Sequence, residues 1–167
     1  MCGANVRSVA WVLHILTVTR LRTSCAGTLV ETFILRQAAT MHSSPPLVLV
    51  AEDNEDIREL VSHQLRRMGV RVVVAEDGRR AVDVALAERP GLVLMDMDMP
   101  VMSGFDAVAA LRAQGYVGPI FALTAYQDGP EAERALSSGC DALLGKPINS
   151  ERLRRHVSSA LGVPAAR

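Results

Sequence analysis

The hydrophobic pattern becomes regular from Leu47 onward, where short apolar runs alternate with segments of helical periodicity. The runs are rich in Val, Leu and Ile and show little polar alternation, which is typical of strands buried on both faces of a sheet. Five strands are predicted on this basis, at Leu47–Ala51, Val70–Ala75, Leu92–Met95, Ile120–Leu123 and Ala142–Leu144.

The segments between these runs predict five helices. Gly69 ends the first, Pro90 ends the second, and the fourth, Pro130–Ser138, has Pro in its first turn and Gly139 after it. Four of the five helices also show apolar residues spaced three and four apart. These residues are Ile57, Leu60, Val61, Leu65 and Met68 in the first helix, Ala81, Val82, Ala85 and Leu86 in the second, Phe105, Val108, Ala109 and Leu111 in the third, and Leu153, Val157, Ala160 and Leu161 in the last.

Alternation of strands and helices predicts a doubly wound α/β fold with a parallel sheet. Right-handed crossovers then place the C-terminal ends of all strands at one edge of the sheet. Ligands of such folds bind in the crevice along that edge, so the residues that follow each apolar run are the candidates for chemistry.

Residues 1–40 differ in composition and show no clean period. They carry four Arg and one Glu, whereas the rest of the chain carries fourteen cations and seventeen acids, a net charge of about −3. The apolar stretch Trp11–Val18 is too short to span a bilayer, and Arg20 and Arg22 follow it where a signal peptide needs a neutral cleavage site. A targeting role is therefore the less favoured alternative.

The domain organisation follows from this change in composition. We expect a poorly ordered N-terminal extension at residues 1–44, one globular domain at residues 45–163 and a short tail at residues 164–167. Alternatively, Met41 is the true start, an interpretation that a native mass beginning at Met1 would contradict.

Charge and cysteine content narrow the class of protein. The formal net charge is zero and no basic stripe is evident, which argues against a nucleic-acid-binding domain. The three cysteines, Cys2, Cys25 and Cys140, form neither a disulfide framework nor a metal-binding spacing, so a reducing, cytoplasmic location is predicted. Lys146 is the only lysine in the chain, which weakly indicates that a compact ammonium is needed there.

Polar residues follow the apolar runs at the predicted ligand-binding edge. They are Glu52, Asp53 and Asn54 after the first run, Asp96 and Asp98 after the third, Thr124 after the fourth and Lys146 after the fifth. Taken singly, each has an ordinary interpretation as a helix-capping acid, a loop residue or a surface lysine. Their joint placement at one edge favours a functional site.

The residue types indicate metal-assisted phosphoryl transfer. Carboxylates crowded into one crevice repel each other unless a cation is present, and hard oxygen ligands suit Mg²⁺. Asp96 is then the candidate nucleophile, while Thr124 and Lys146 would hold phosphoryl oxygens.

These motifs resemble the receiver domain of two-component response regulators. The resemblance runs from about Leu47 to Leu161, roughly two-thirds of the chain. It is carried by "VLVAEDNEDIRE" at Val48–Glu59, "LVLMDMDMPVMSGFDAV" at Leu92–Val108, "ALTA" at Ala122–Ala125 and "CDALLGKPI" at Cys140–Ile148.

The resemblance implies a flavodoxin-like (βα)₅ fold with strand order 2-1-3-4-5. It also implies that a histidine kinase or a histidine phosphotransfer protein phosphorylates Asp96. Mg²⁺ would be bound by Asp53 directly, by Glu52 through a water molecule, by Asp96 and by the backbone carbonyl of Asp98. Thr124 would move toward the phosphoryl group, Lys146 would pair with its oxygens, and the Lys146–Pro147 peptide bond would be cis.

Two positions depart from the family pattern. Leu143 stands where many receivers have an aromatic residue that moves with the threonine, and Tyr126 is no obvious substitute, so the aromatic half of the usual switch is missing. Asp98 places a carboxylate where many receivers have a neutral residue. We expect it to change the lifetime of the phosphoryl group, which a comparison of decay rates with Asp98→Asn would test.

Alternative functions and the expected partners complete the prediction. Asp96-Met97-Asp98 also fits the nucleophile motif of haloacid-dehalogenase-like phosphatases, although the acidic pair at Glu52 and Asp53 lies upstream rather than downstream. A receiver-like module that accepts no phosphate is the second alternative. We expect a signalling domain rather than an enzyme, with no DNA-binding domain in this chain, no membrane contact and a protein as its downstream target. Whether it is a stand-alone regulator or the receiver of a hybrid kinase stays open.

Overall fold

A computed structural model of the chain describes residues 44–163. Five parallel strands form one sheet in the order β2-β1-β3-β4-β5, which confirms the predicted fold and strand order. The strands are β1 Leu47–Ala51, β2 Arg71–Ala75, β3 Leu92–Asp96, β4 Ile120–Thr124 and β5 Ala142–Gly145. What was predicted for residues 1–43 and 164–167 lies outside the described residues.

One helix follows each strand. The helices are α1 Glu55–Arg67, α2 Gly78–Glu88, α3 Gly104–Ala113, α4 Pro130–Ser138 and α5 Ser150–Leu161. Four of them begin at a side chain that accepts a hydrogen bond from a backbone N–H of the first turn: Asn54, Asp77, Ser103 and Asn149. Between residues 44 and 163, no helix combines the length and apolar character needed to cross a bilayer.

Two apolar cores cover the two faces of the sheet. On one face α2, α3 and α4 pack against alternate residues of the strands, with Met95 and Leu111 fully buried. On the other face α1 and α5 pack against the intervening residues, with Leu65 and Leu153 fully buried. Because the central strands β1, β3 and β4 are covered on both sides, their continuous apolar sequence is explained.

Two predictions about burial are wrong. β2 is not buried on both faces, because it forms an edge of the sheet and Arg71 and Val74 are exposed. Leu60 was expected on the buried face of α1, yet 54% of its surface is exposed. Val61 and Leu65 fill the contact with the sheet instead.

Candidate functional site

The predicted site residues lie at the C-terminal edge of the sheet. Asp96 and Thr124 are the last residues of β3 and β4, one position beyond the predicted ends of those strands. Glu52 and Asp53 follow β1 directly, and in the parallel register Ala51 pairs with Met95. The crossover topology therefore brings the four residues to one place, as the sequence predicted.

Three carboxylates converge there. Glu52, Asp53 and Asp96 each place a carboxylate oxygen within 4.8 Å of the others. Glu52 and Asp96 are buried, with 1% and 3% of their surface exposed, whereas Asp53 is exposed. The cluster thus combines two buried negative charges with a third that faces solvent.

Lys146 supplies the counter-charge. Its Nζ donates hydrogen bonds to Asp96 Oδ2 at 2.7 Å and to Glu52 Oε1 at 3.2 Å. Glu52 Oε2 is also buried and lies 2.9 Å from the same Nζ, so both oxygens of this carboxylate face the ammonium. The Lys146–Pro147 peptide bond is cis, as predicted. One ammonium against three carboxylates leaves an excess of negative charge at the site.

The pKa values of Glu52 and Lys146 are both shifted by burial and by the charges around them. Burial raises the pKa of Glu52 above its ordinary value of 4.5, and the negative charge of Asp96 adds to the effect despite the opposing hydrogen bond from Lys146. Burial alone would lower the pKa of Lys146, but its hydrogen bonds to Asp96 and Glu52 outweigh burial, and the net pKa is raised. Lys146 is therefore an ammonium at neutral pH.

Both oxygens of the Asp96 carboxylate are held in place. The backbone N–H of Asp98 donates to Oδ1 at 3.2 Å, while Lys146 occupies Oδ2. The carboxylate is thereby fixed with its oxygens directed to the edge of the sheet, next to Glu52 and Asp53. The side chain of Asp98 is exposed and does not join this cluster of carboxylates.

Thr124 lies at the site but its hydroxyl contacts its own loop. Thr124 is 5% exposed, and its Oγ1 accepts a hydrogen bond from the N–H of Tyr126 at 3.1 Å. Its carbonyl oxygen accepts the N–H of Lys146 at 2.7 Å. Two of the predicted phosphate-binding residues are thus linked through the backbone at the ends of β4 and β5.

A cleft of about 480 Å³ opens beside the carboxylates. Its lining includes Asp53 and Asp98. It also includes Phe105 and Arg134 of α4, and the guanidinium of Arg134 lies 4.1 Å over the ring of Phe105. The remaining lining residues are Met97, Met99, Pro100 and Ser103. The cleft gives solvent and solutes access to the exposed side of the acidic cluster.

Two further residues, Gly104 and Arg58, shape the site. Both lie in motifs quoted in the sequence analysis, which assigned a role to neither of them. A Cβ on Gly104 would overlap the carbonyl oxygen of Asp96, so the start of α3 approaches β3 only because position 104 has no side chain. Arg58 in the first turn of α1 donates to the carbonyl oxygens of Glu52 and Asp53. An arginine one turn after an N-cap residue is the one sequence feature that points to such a contact. The oxygens that accept its hydrogen bonds belong to the backbone, so no residue type in the sequence identifies them.

Comparison with known proteins identifies the family. Residues 48–158 match the response regulator receiver domain. The chain is 34% identical over 117 residues to the response regulator MprA of Mycolicibacterium vanbaalenii, covering 70% of this chain and 51% of that protein. It is 32% identical over 120 residues to the polar-differentiation response regulator DivK of Brucella anthropi, covering 71% of this chain and 98% of that protein.

A solved structure supports the same assignment. The receiver domain of the sensor histidine kinase PA1611 from Pseudomonas aeruginosa, determined with a magnesium ion coordinated in the active-site cleft, superposes with a TM-score of 0.67 at 33% identity. The match covers 71% of this chain and 99% of that domain. The chain therefore belongs to the response regulator receiver family, the phosphoacceptor domains of two-component signalling. It spans about half the length of MprA, so it corresponds to one part of that relative.

Proposed function

We propose that Asp96 accepts a phosphoryl group from the phosphohistidine of a histidine kinase or a histidine phosphotransfer protein. The observation that carries this proposal is the buried Asp96 carboxylate, held by Lys146 and by the N–H of Asp98 beside two further carboxylates. An oxygen of Asp96 forms a bond to phosphorus while the bond from phosphorus to the imidazole nitrogen breaks, and the electron pair returns to the imidazole.

The residues present fit a magnesium ion. Three carboxylate oxygens lie within 4.8 Å of one another, and two of these carboxylates are buried with one ammonium between them to balance their charge. Glu52, Asp53 and Asp96, with the backbone carbonyl of Asp98, would hold the ion. Bound Mg²⁺ supplies charge neutralisation for the carboxylates and for the phosphoryl oxygens.

The remaining site residues would hold the phosphorylated state. The Lys146 ammonium, already 2.7 Å from Asp96 Oδ2, would pair with a phosphoryl oxygen. Thr124 would turn its hydroxyl from the Tyr126 N–H toward the phosphoryl group, which frees that N–H and changes the loop after β4. The signal would leave through protein contacts on the face formed by α4, β5 and α5, in the cytoplasm. Asp98 would alter how long the phosphoryl group survives.

Phosphorylation by a small donor tests the proposal. Incubation with acetyl phosphate and Mg²⁺ should add the mass of one phosphate to the chain, and chelation of the metal should prevent it. Asp96→Ala should remain unmodified, while Asp83→Asn, which neutralises an exposed acid on α2, should behave as the wild type. A wild-type protein that stays unmodified would favour a binding module instead, and turnover of a phosphomonoester would favour a phosphatase.

A further inference from the structure

Arg58 reaches from α1 back to the loop that carries the acidic pair. Its Nη1 donates hydrogen bonds to the carbonyl oxygen of Glu52 at 2.8 Å and to that of Asp53 at 3.1 Å. The side chain is half-buried, and the residue lies four positions after the N-cap Asn54. One guanidinium nitrogen therefore ties two consecutive peptide groups to the first turn of the helix.

Those peptide groups set the direction of the two carboxylates. Glu52 and Asp53 lie between the last residue of β1 and the N-cap of α1, outside either regular element. Glu52 is anchored on one side, where its N–H donates to the Ala75 carbonyl at 3.1 Å. Rotation of the following peptide would swing both side chains, and Mg²⁺ tolerates little deviation from its preferred geometry.

We propose that Arg58 is a positioning residue of the metal site, which fixes the loop backbone so that the Glu52 and Asp53 carboxylates face the ion. This inference rests on the proposed function, because it assumes that the acidic cluster binds Mg²⁺. It assigns no contact between Arg58 and the ion or the phosphoryl group.

The charge of Arg58 and its positioning role predict opposite changes in Mg²⁺ affinity when the residue is replaced. The direction of the change therefore tests the proposal. A guanidinium near a cation site repels the cation, so removal of its charge should strengthen Mg²⁺ binding if electrostatics were its only role. If Arg58 orients the ligands, its removal should weaken Mg²⁺ binding even though a repelling charge has gone. Loss of a group that orients metal ligands typically weakens metal affinity by about 10-fold or more.

The experiment compares Arg58→Gln, Arg58→Lys and Arg66→Gln in the full chain. Arg66 lies on the same helix, is 52% exposed and pairs only loosely with Glu59 at 3.7 Å, so its substitution removes the same charge without touching the loop. Mg²⁺ affinity is measured by titration calorimetry, and amide hydrogen exchange of residues 52–54 is measured without metal. Thermal unfolding of each variant reports whether the fold is retained.

We expect Arg58→Gln to weaken Mg²⁺ binding by roughly tenfold and to speed amide exchange in the loop, with Arg66→Gln unchanged in both. Arg58→Lys should recover part of the Mg²⁺ affinity, because an ammonium still donates to a carbonyl. This variant replaces Arg58→Gln in the comparison if the Gln variant does not fold. Equal or tighter Mg²⁺ binding in folded Arg58 variants would overturn the positioning role. A wild type that binds no Mg²⁺ would instead overturn the proposed function, and this inference with it.

Discussion

At the scale of single residues, the buried carboxylate of Glu52 lowers the stability of the metal-free protein, although the same carboxylate suits a cation-binding site. It is 1% exposed and shares one ammonium with Asp96, and burial with the neighbouring charge raises its pKa. A carboxylate whose pKa is raised by folding is easier to ionise in the unfolded chain. Its ionisation therefore destabilises the metal-free fold, an arrangement that has a purpose only if a cation binds there.

Substitution of Glu52 by Gln should stabilise the metal-free protein at pH 7, by about 1 kcal/mol. Below the ordinary glutamate pKa of 4.5, Glu52 is protonated in both states and the advantage of Gln disappears. As the pH rises, the unfolded state loses its proton first, so the advantage should grow until the pH passes the raised pKa. Urea unfolding with chelator at several pH values between 4 and 8 measures the difference in unfolding free energy between the two proteins.

The matched control for this prediction is Glu59→Gln, which neutralises an acid of α1 that is 64% exposed. It should change the unfolding free energy little at any pH in the range. A Glu52→Gln protein that is less stable than the wild type at pH 7 would show that the Lys146 contact outweighs the burial of the charge.

At the scale of elements, the end of β5 depends on the loop that follows β4. Gly145 has no side chain, and the side chain of Gln127 lies across it and contacts Arg152 of α5. A Cβ at position 145 would overlap the Gln127 amide. The loop that begins beside Thr124 is therefore joined to β5 and α5 by a contact that only Gly145 permits.

Gly145→Ala should displace the side chain of Gln127, which is exposed and flexible, so the loss of stability should be small, on the order of a few tenths of a kcal/mol. In a Gln127→Ala background the same substitution should have little effect, since the amide that it would strike is gone. Urea unfolding of the wild type, the two single variants and the double variant measures the coupling. Additive losses would mean that Gly145 and Gln127 do not interact.

The sequence predicted the elements and the convergence of the site, but not the contacts that connect them. Apolar runs located all five strands, because buried parallel strands leave a pattern of residue types. The exposure of β2 does not follow from that pattern, because it depends on which strand lies at the edge. The contacts of Arg58 with two backbone carbonyls and of Gln127 with Arg152 escaped prediction, because they depend on how far and in which direction a side chain reaches in the folded chain.

At the scale of the whole molecule, the part of the chain that the structure describes packs two apolar cores from its own residues, between Val48 and Val163. We therefore expect a fragment of residues 45–163 to fold by itself and to unfold in one cooperative transition. Its urea midpoint should equal that of the corresponding transition in the full chain, and it should be phosphorylated by acetyl phosphate at the same rate. A fragment that is insoluble or has a clearly lower midpoint would contradict the proposed domain boundary.

The position of the only lysine in the chain has a practical consequence. Reductive methylation with ¹³C-formaldehyde would label one side-chain amine, Lys146, together with the α-amino group, and it preserves the positive charge. That amine donates to both Glu52 and Asp96, and the dimethylated form keeps one N–H, so its methyl resonance would report on the site with one of the two hydrogen bonds removed. Lys146 thus offers a single side-chain position at which an NMR label lies beside the Glu52 and Asp96 carboxylates.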